Sequence, residues 1–165
     1  MLIYDFLHNG TKVTLVTRPR CFGKTLNMMM LAEFLDITKN SKEIFGQTKI
    51  METDYASMIN QWPTIFISFI EAKESTSRIL TVIKNEIIRE YQKYQKVFEN
   101  MDEYDQHTYN SIKKALFSDG DNGLKIIDAL PFLMKRMETY YGKKTMVIID
   151  EYDTPFIEGY THEFY

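Results

Sequence analysis

The sequence predicts an α/β fold with a mainly parallel sheet. Three observations predict it. Short apolar runs alternate with longer stretches whose apolar residues recur every three or four positions. The first apolar run passes through a glycine-containing loop into a helix-forming stretch. The last run, Thr145 to Asp150, is apolar until it ends in acid.

The elements follow in order. Asn9-Gly10 is a turn signal, and Val13, Leu15 and Val16 make Lys12 to Thr17 a predicted strand. Leu26, Met29, Met30 and Phe34 place a helix over Lys24 to Asp36. Residues 37 to 63 are mixed, with a short helix expected at Tyr55 to Ile59. Thr64 to Ile70 is almost wholly apolar and reads as a strand buried on both faces. A long helix is expected from Ser75 to Asn100. Its stripe is Leu80, Ile83, Ile87, Tyr91, Tyr94 and Phe98, with Glu86, Arg89, Glu90 and Lys93 largely off it. Another helix is expected at 105 to 117, then a loop from Ser118 to Gly123. Leu124 to Tyr141 is helical again; Pro131 marks a kink or a fresh start, and Gly142 a stop. Thr145 to Asp150 is the last strand.

Composition narrows the function classes. At 165 residues one domain is expected, and 44% hydrophobic residues suffice for its core. The net charge of −3 does not call for a nucleic-acid or anionic-membrane partner, though Arg18 and Arg20 form a small basic patch. A single cysteine excludes an intrachain disulfide, and three scattered histidines provide no zinc cluster. No apolar stretch approaches the roughly 20 residues of a membrane span, and the N-terminus lacks a leader pattern, so a cytoplasmic location without membrane contact is expected.

Arg18 to Thr25, RPRCFGKT, carries the first chemical signal. A phosphate cradle needs converging backbone N–H groups, a helix starting at the anion, a lysine for the outer phosphates and a hydroxyl for magnesium. Gly23, Lys24 and Thr25 fill the last three positions of that pattern, between an apolar strand and an apolar helix. Arg18 stands where the first glycine usually does, and Pro19 removes one N–H donor. Arg18 and Arg20 either supply charge in place of the lost amide or are solvated loop charges. Cys21 sits where a thiolate would be stabilised, but an inert thiol is the simpler reading.

Met146 to Asp153, MVIIDEYD, carries the second. Ligands of open α/β sheets bind at the carboxyl ends of strands. Asp150 stands at such an end, suited to hold magnesium together with Thr25. Glu151 follows, suited to orient and deprotonate an attacking water. Asp153 is a candidate supporting partner. The bland alternative is an apolar strand followed by a charged turn.

The two motifs resemble the predicted AAA-ATPase-like family of bacteria and archaea. Its members show RPRRFGKS or RPRRFGKT followed by LN, a proline-led strand such as PTIFISF, and a DEYD-x-P motif. Arg18, Pro19, Arg20, Phe22, Gly23, Lys24, Thr25, Leu26 and Asn27 match, as do Asp150, Glu151, Tyr152, Asp153 and Pro155. Cys21 departs from the second arginine of the pair. The resemblance implies a three-layer P-loop NTPase fold of the additional-strand, catalytic-glutamate type. It implies ATP and Mg2+ as ligands, with Arg18, Arg20, Phe22, Gly23, Lys24, Thr25 and Leu26 at the nucleotide. Thr25 and Asp150 would hold the metal, and Lys24 and Glu151 would carry catalysis.

In that class a further strand follows the aspartate strand in sequence and lies between it and the first strand in space. Fifteen residues follow Asp150. The expectation is therefore an incomplete domain, cut after the aspartate strand, with weak or absent ATP hydrolysis and self-association through exposed sheet edges. Relatives often carry a C-terminal restriction-nuclease-like domain. Two other readings share these residues: a nucleotide-binding module without turnover, and a protein-interaction module.

Overall fold

The structure, a computed structural model, describes residues 2–17, 23–118 and 126–161. Two parallel strands form its sheet, β1 (Thr64–Ser68) and β2 (Met146–Asp150). Thr64 pairs with Met146 and Ser68 with Asp150, so both strands end at the same level. Parallel neighbours need a crossover, and among the described residues its longer elements are three helices. These are α4 (Thr76–Lys93), α5 (Glu103–Phe117) and α6 (Ala129–Tyr141). Before β1 come α1 (Leu2–Asn9), α2 (Lys24–Leu35) and the single turn α3 (Lys42–Phe45); after β2 comes α7 (Thr154–Thr161).

Alternation along the strands sends side chains to opposite faces, and each face has its own core. Ile65 and Ile67 join Ile87, Tyr91, Ile112, Leu133 and Met137 under α4, α5 and α6. Phe66 and Ile148 join Ile3, Leu31, Phe34 and Leu35 under α1 and α2. Helices thus cover both faces of the strand pair, the layering expected of an α/β fold. Among the described residues, no helix is long and apolar enough to cross a membrane.

The outer edge of β1 is closed by side chains rather than by a strand. The Thr64 N–H donates to the Tyr94 hydroxyl at 2.7 Å, and the Ser68 N–H donates to Glu86 Oε2 at 3.1 Å. Between them Glu90 takes a backbone hydrogen bond from Phe66. Four residues of helix rise about 6 Å and two residues of strand about 6.6 Å, so the two spacings keep step. Glu86 and Glu90 thus stand off the apolar stripe, yet not in solvent. Both are buried, each accepting from a backbone amide on the outer edge of β1. Burial pushes the Glu90 carboxyl above its ordinary range, against the pull of Lys93 at 2.6 Å. Lys93 also reaches Asp36 Oδ2 at 3.2 Å and the Thr64 carbonyl at 2.8 Å, tying the end of α2 to the start of β1.

Other expectations are adjusted. The strand expected at Lys12 to Thr17 does not form. Among the described residues no strand lies beside that segment, so its backbone lacks ladder partners, and Val13 and Leu15 are 85% and 64% exposed. The long helix ends at Lys93 and resumes as a 3-10 turn over Gln95–Phe98, while its stripe packs into the core as expected. The short helix near Tyr55 is a 3-10 turn over Asp54–Met58. Pro131 is the third residue of α6, in the first turn where its missing N–H costs nothing, so it marks a start rather than a kink. Gly142 takes the left-handed conformation that stops α6. Most of the expected Ser118 to Gly123 loop lies outside the described residues.

Two consequences can be measured. Tyr94→Phe leaves the buried Thr64 N–H without a partner, and should lower stability to urea by about 1–3 kcal/mol; unchanged stability would show that the phenol does not close the edge. Asp105 meets Lys135 and Arg136, each at 2.9 Å. The Lys135 contact, with Arg136 beside it, holds the Asp105 carboxyl below its ordinary 3.8. Its contribution is complete above that value and is lost as the pH falls through the lowered folded value. Asp105→Asn should be less stable at neutral pH and should lose stability less steeply in that acid window; parallel acid-unfolding curves would contradict this.

Candidate functional site

Where β1 and β2 end together, their last side chains share one rim. Asp150 closes β2 and is 1% exposed. Its Oδ2 lies 3.5 Å from the hydroxyl of Ser68, its register partner, and its Oδ1 is buried with no hydrogen-bond partner. A buried carboxylate oxygen without a donor is costly, and such atoms cluster at sites built for a ligand or ion.

Directly after β2 the chain turns sharply. Glu151 has φ 53°, a left-handed conformation that costs a residue with a Cβ about 1–2 kcal/mol. The turn leads into α7, whose first amides bond back: the Phe156 and Ile157 N–H groups donate to the Asp153 carbonyl. Asp153 Oδ1 is a second buried oxygen without a partner. Three acids therefore crowd the first four positions after the apolar part of the strand.

Facing them is the start of α2. Gly23 precedes it at φ 66° and ψ 29°, a conformation glycine takes freely. Its carbonyl accepts from the Asn27 N–H at 3.0 Å and from Asn27 Nδ2 at 2.7 Å, so Asn27 clamps the junction between loop and helix. Lys24 is the first helical residue, and its Nζ lies 3.1 Å from Glu151 Oε1. The hydrogen bond to Glu151 raises the Lys24 amine above its ordinary value, with Asp153 and Asp150 adding to the pull. Residues far apart in sequence, from the two motifs, are thus brought into direct contact.

The other expected site residues are placed as follows. Thr25 is the second residue of α2 and is partly buried. Leu26 is 62% exposed on that helix. Arg18, Arg20 and Phe22, with Cys21, lie outside the described residues. Ser68 and Asn27 were not given roles by sequence reasoning. The signal for Ser68 was a hydroxyl closing an otherwise apolar strand; that for Asn27 was its place one turn after Gly23.

The donor set suits a hard cation. Asp150 offers a free buried oxygen, and oxygen ligands are what magnesium takes. Among the described residues no three acids, histidines or cysteines converge as a ready-made metal cage.

The family model described as "Predicted AAA-ATPase" matches residues 1–165, the whole length of the sequence. No curated protein matches the chain. No solved structure matches it either.

Proposed function

The chain belongs to the AAA-ATPase-like family, and from that premise we propose that it binds ATP and hydrolyses it in the presence of Mg2+. The observation that carries this reading is the contact of Lys24 with Glu151 at the common end of β1 and β2. A lysine at a helix start, an acid at a strand end and a buried unsatisfied carboxylate oxygen meet at one rim.

In this reading α2 points its free first-turn amides at the phosphates, favoured by the helix dipole. Lys24 adds a mobile positive charge for the outer phosphates. Gly23 allows the loop to turn without a Cβ near the anion, and Asn27 keeps that turn in place. Arg18, Arg20, Phe22 and Leu26 complete the nucleotide contacts. Thr25 and Asp150 hold the metal, with Ser68 fixing the Asp150 carboxylate. When bound, magnesium neutralises phosphate charge. Glu151 positions the attacking water and accepts its proton.

Binding and metal dependence separate the roles. Lys24→Ala removes a charge-assisted contact and should weaken a fluorescent ATP analogue by about ten- to a hundred-fold, equivalent to about 1.5–3 kcal/mol. Asp150→Ala should instead flatten the magnesium dependence of binding. Equal affinity of Lys24→Ala and the parent would remove the phosphate-loop assignment.

The reading extends to self-association. The Met146 N–H points to β1, donating to the Pro63 carbonyl, so by alternation the Val147 and Ile149 N–H groups face the opposite edge. The side chains of those two residues are each 38% exposed. Among the described residues no strand pairs with that edge, and an open apolar edge is a template for a second chain. Val147→Lys should discourage pairing and lower the sedimenting mass at equal concentration. If parent and Val147→Lys sediment alike as monomers, the edge does not mediate association.

A further inference from the structure

Lys24 is proposed above to meet phosphate, yet it is already engaged. Its ammonium lies 3.1 Å from Glu151, the residue proposed to handle water, and both side chains are about one-third exposed or less. Asp150 and Asp153 add negative charge around the same ammonium. Glu151 reaches it from a left-handed backbone conformation that L residues rarely adopt. The carboxylate that would handle water is therefore tied up by the cation that would hold phosphate.

We propose that the Lys24–Glu151 ion pair is a resting lock, which the phosphates of the nucleotide must break. This rests on the nucleotide reading and adds its regulation. A phosphate brought to the ammonium stands beside the Glu151 carboxylate, and two anions at one cation repel each other. Asp150 and Asp153 deepen that repulsion until a metal ion arrives. The phosphate therefore displaces Glu151, and the displaced carboxylate becomes free to take a water. Occupation of the site and release of its general base are one event. Without nucleotide, Glu151 is neutralised by Lys24. The competition is strongest without magnesium, because a divalent cation between phosphates and acids would screen their repulsion.

The lock makes Glu151 an obstacle to binding as well as a candidate base. Glu151→Gln keeps size and hydrogen-bonding capacity and removes the charge. Binding of a fluorescent ADP, which lacks the phosphate that hydrolysis would remove, is titrated in EDTA and again with magnesium. Glu151→Gln should bind about two- to five-fold more tightly than the parent in EDTA, the range set by a partly exposed ion pair. The gain should shrink with magnesium. It should also shrink when Lys24→Ala is already in place, because the lock acts through that ammonium.

Asp153→Asn is the control for plain charge removal. It should give less gain than Glu151→Gln, and its gain should depend less on Lys24, which it does not contact directly. Equal gains for Glu151→Gln with Lys24 intact and in the Lys24→Ala background would overturn the lock. So would no gain at all, and if parent binding still required Lys24 the nucleotide reading would stand alone. If the parent binds no ADP under either condition, the nucleotide reading and the lock both fall.

Discussion

The structure depends on how the outer edge of β1 is closed. A strand edge buried in a protein must satisfy its outward N–H groups. Here α4 and the residue that caps it do so with Tyr94, Glu90 and Glu86, taking Thr64, Phe66 and Ser68 in turn. A helix can follow a strand this way only if every fourth helical residue meets every second strand residue. The near-equality of those rises makes it feasible over three contacts. The cost is three buried polar side chains, two of them acids, and Lys93 with Arg89 offsets their charge.

That closure sets the rest in place. With α4 fixed along one edge, β1 has one edge left for a partner, and β2 takes it in parallel. The register then brings Ser68 and Asp150 to the same rim. The Glu86 carboxylate holds the backbone N–H of the same Ser68 whose hydroxyl meets Asp150. A contact made to satisfy an edge amide is thus one residue away from the candidate metal ligand. Lys93 and Tyr94 tie Asp36, just after α2, to Thr64 at the opposite end of the strand. Through that tie the helix that begins at Lys24 is anchored at its far end to the sheet it serves.

The two edges of the sheet are handled unlike each other. The β1 edge is sealed by side chains, whereas β2 presents Val147 and Ile149 half-open to solvent. The site lies at the strand ends between these edges. Among the described residues its charges are also unevenly balanced, with Lys24 opposed to Asp150, Glu151 and Asp153. A ligand bringing phosphate would add to the negative side, which is why the lysine, its carboxylate partner and a divalent cation are linked in one competition.

The sequence by itself determined the elements whose signals are local. The stripe from Leu80 to Phe98, the apolar run ending at Asp150, the glycine stop at Gly142 and the Gly-Lys-Thr start of α2 all rest on periodicity or backbone preference within a few residues. It also determined the family, since both motifs are contiguous. Tertiary structure alone decided which charges are buried. Glu86 and Glu90 look solvent-facing on a helical wheel, and only the adjacent strand edge gives them amides to satisfy. Tertiary structure also decided that Val13 to Val16, strand-like in composition, stays unpaired, because a strand needs a neighbour and propensity supplies none. And it decided that Lys24 rests on Glu151. Two charges far apart in sequence meet only because the sheet register and the start of α2 place them at one rim.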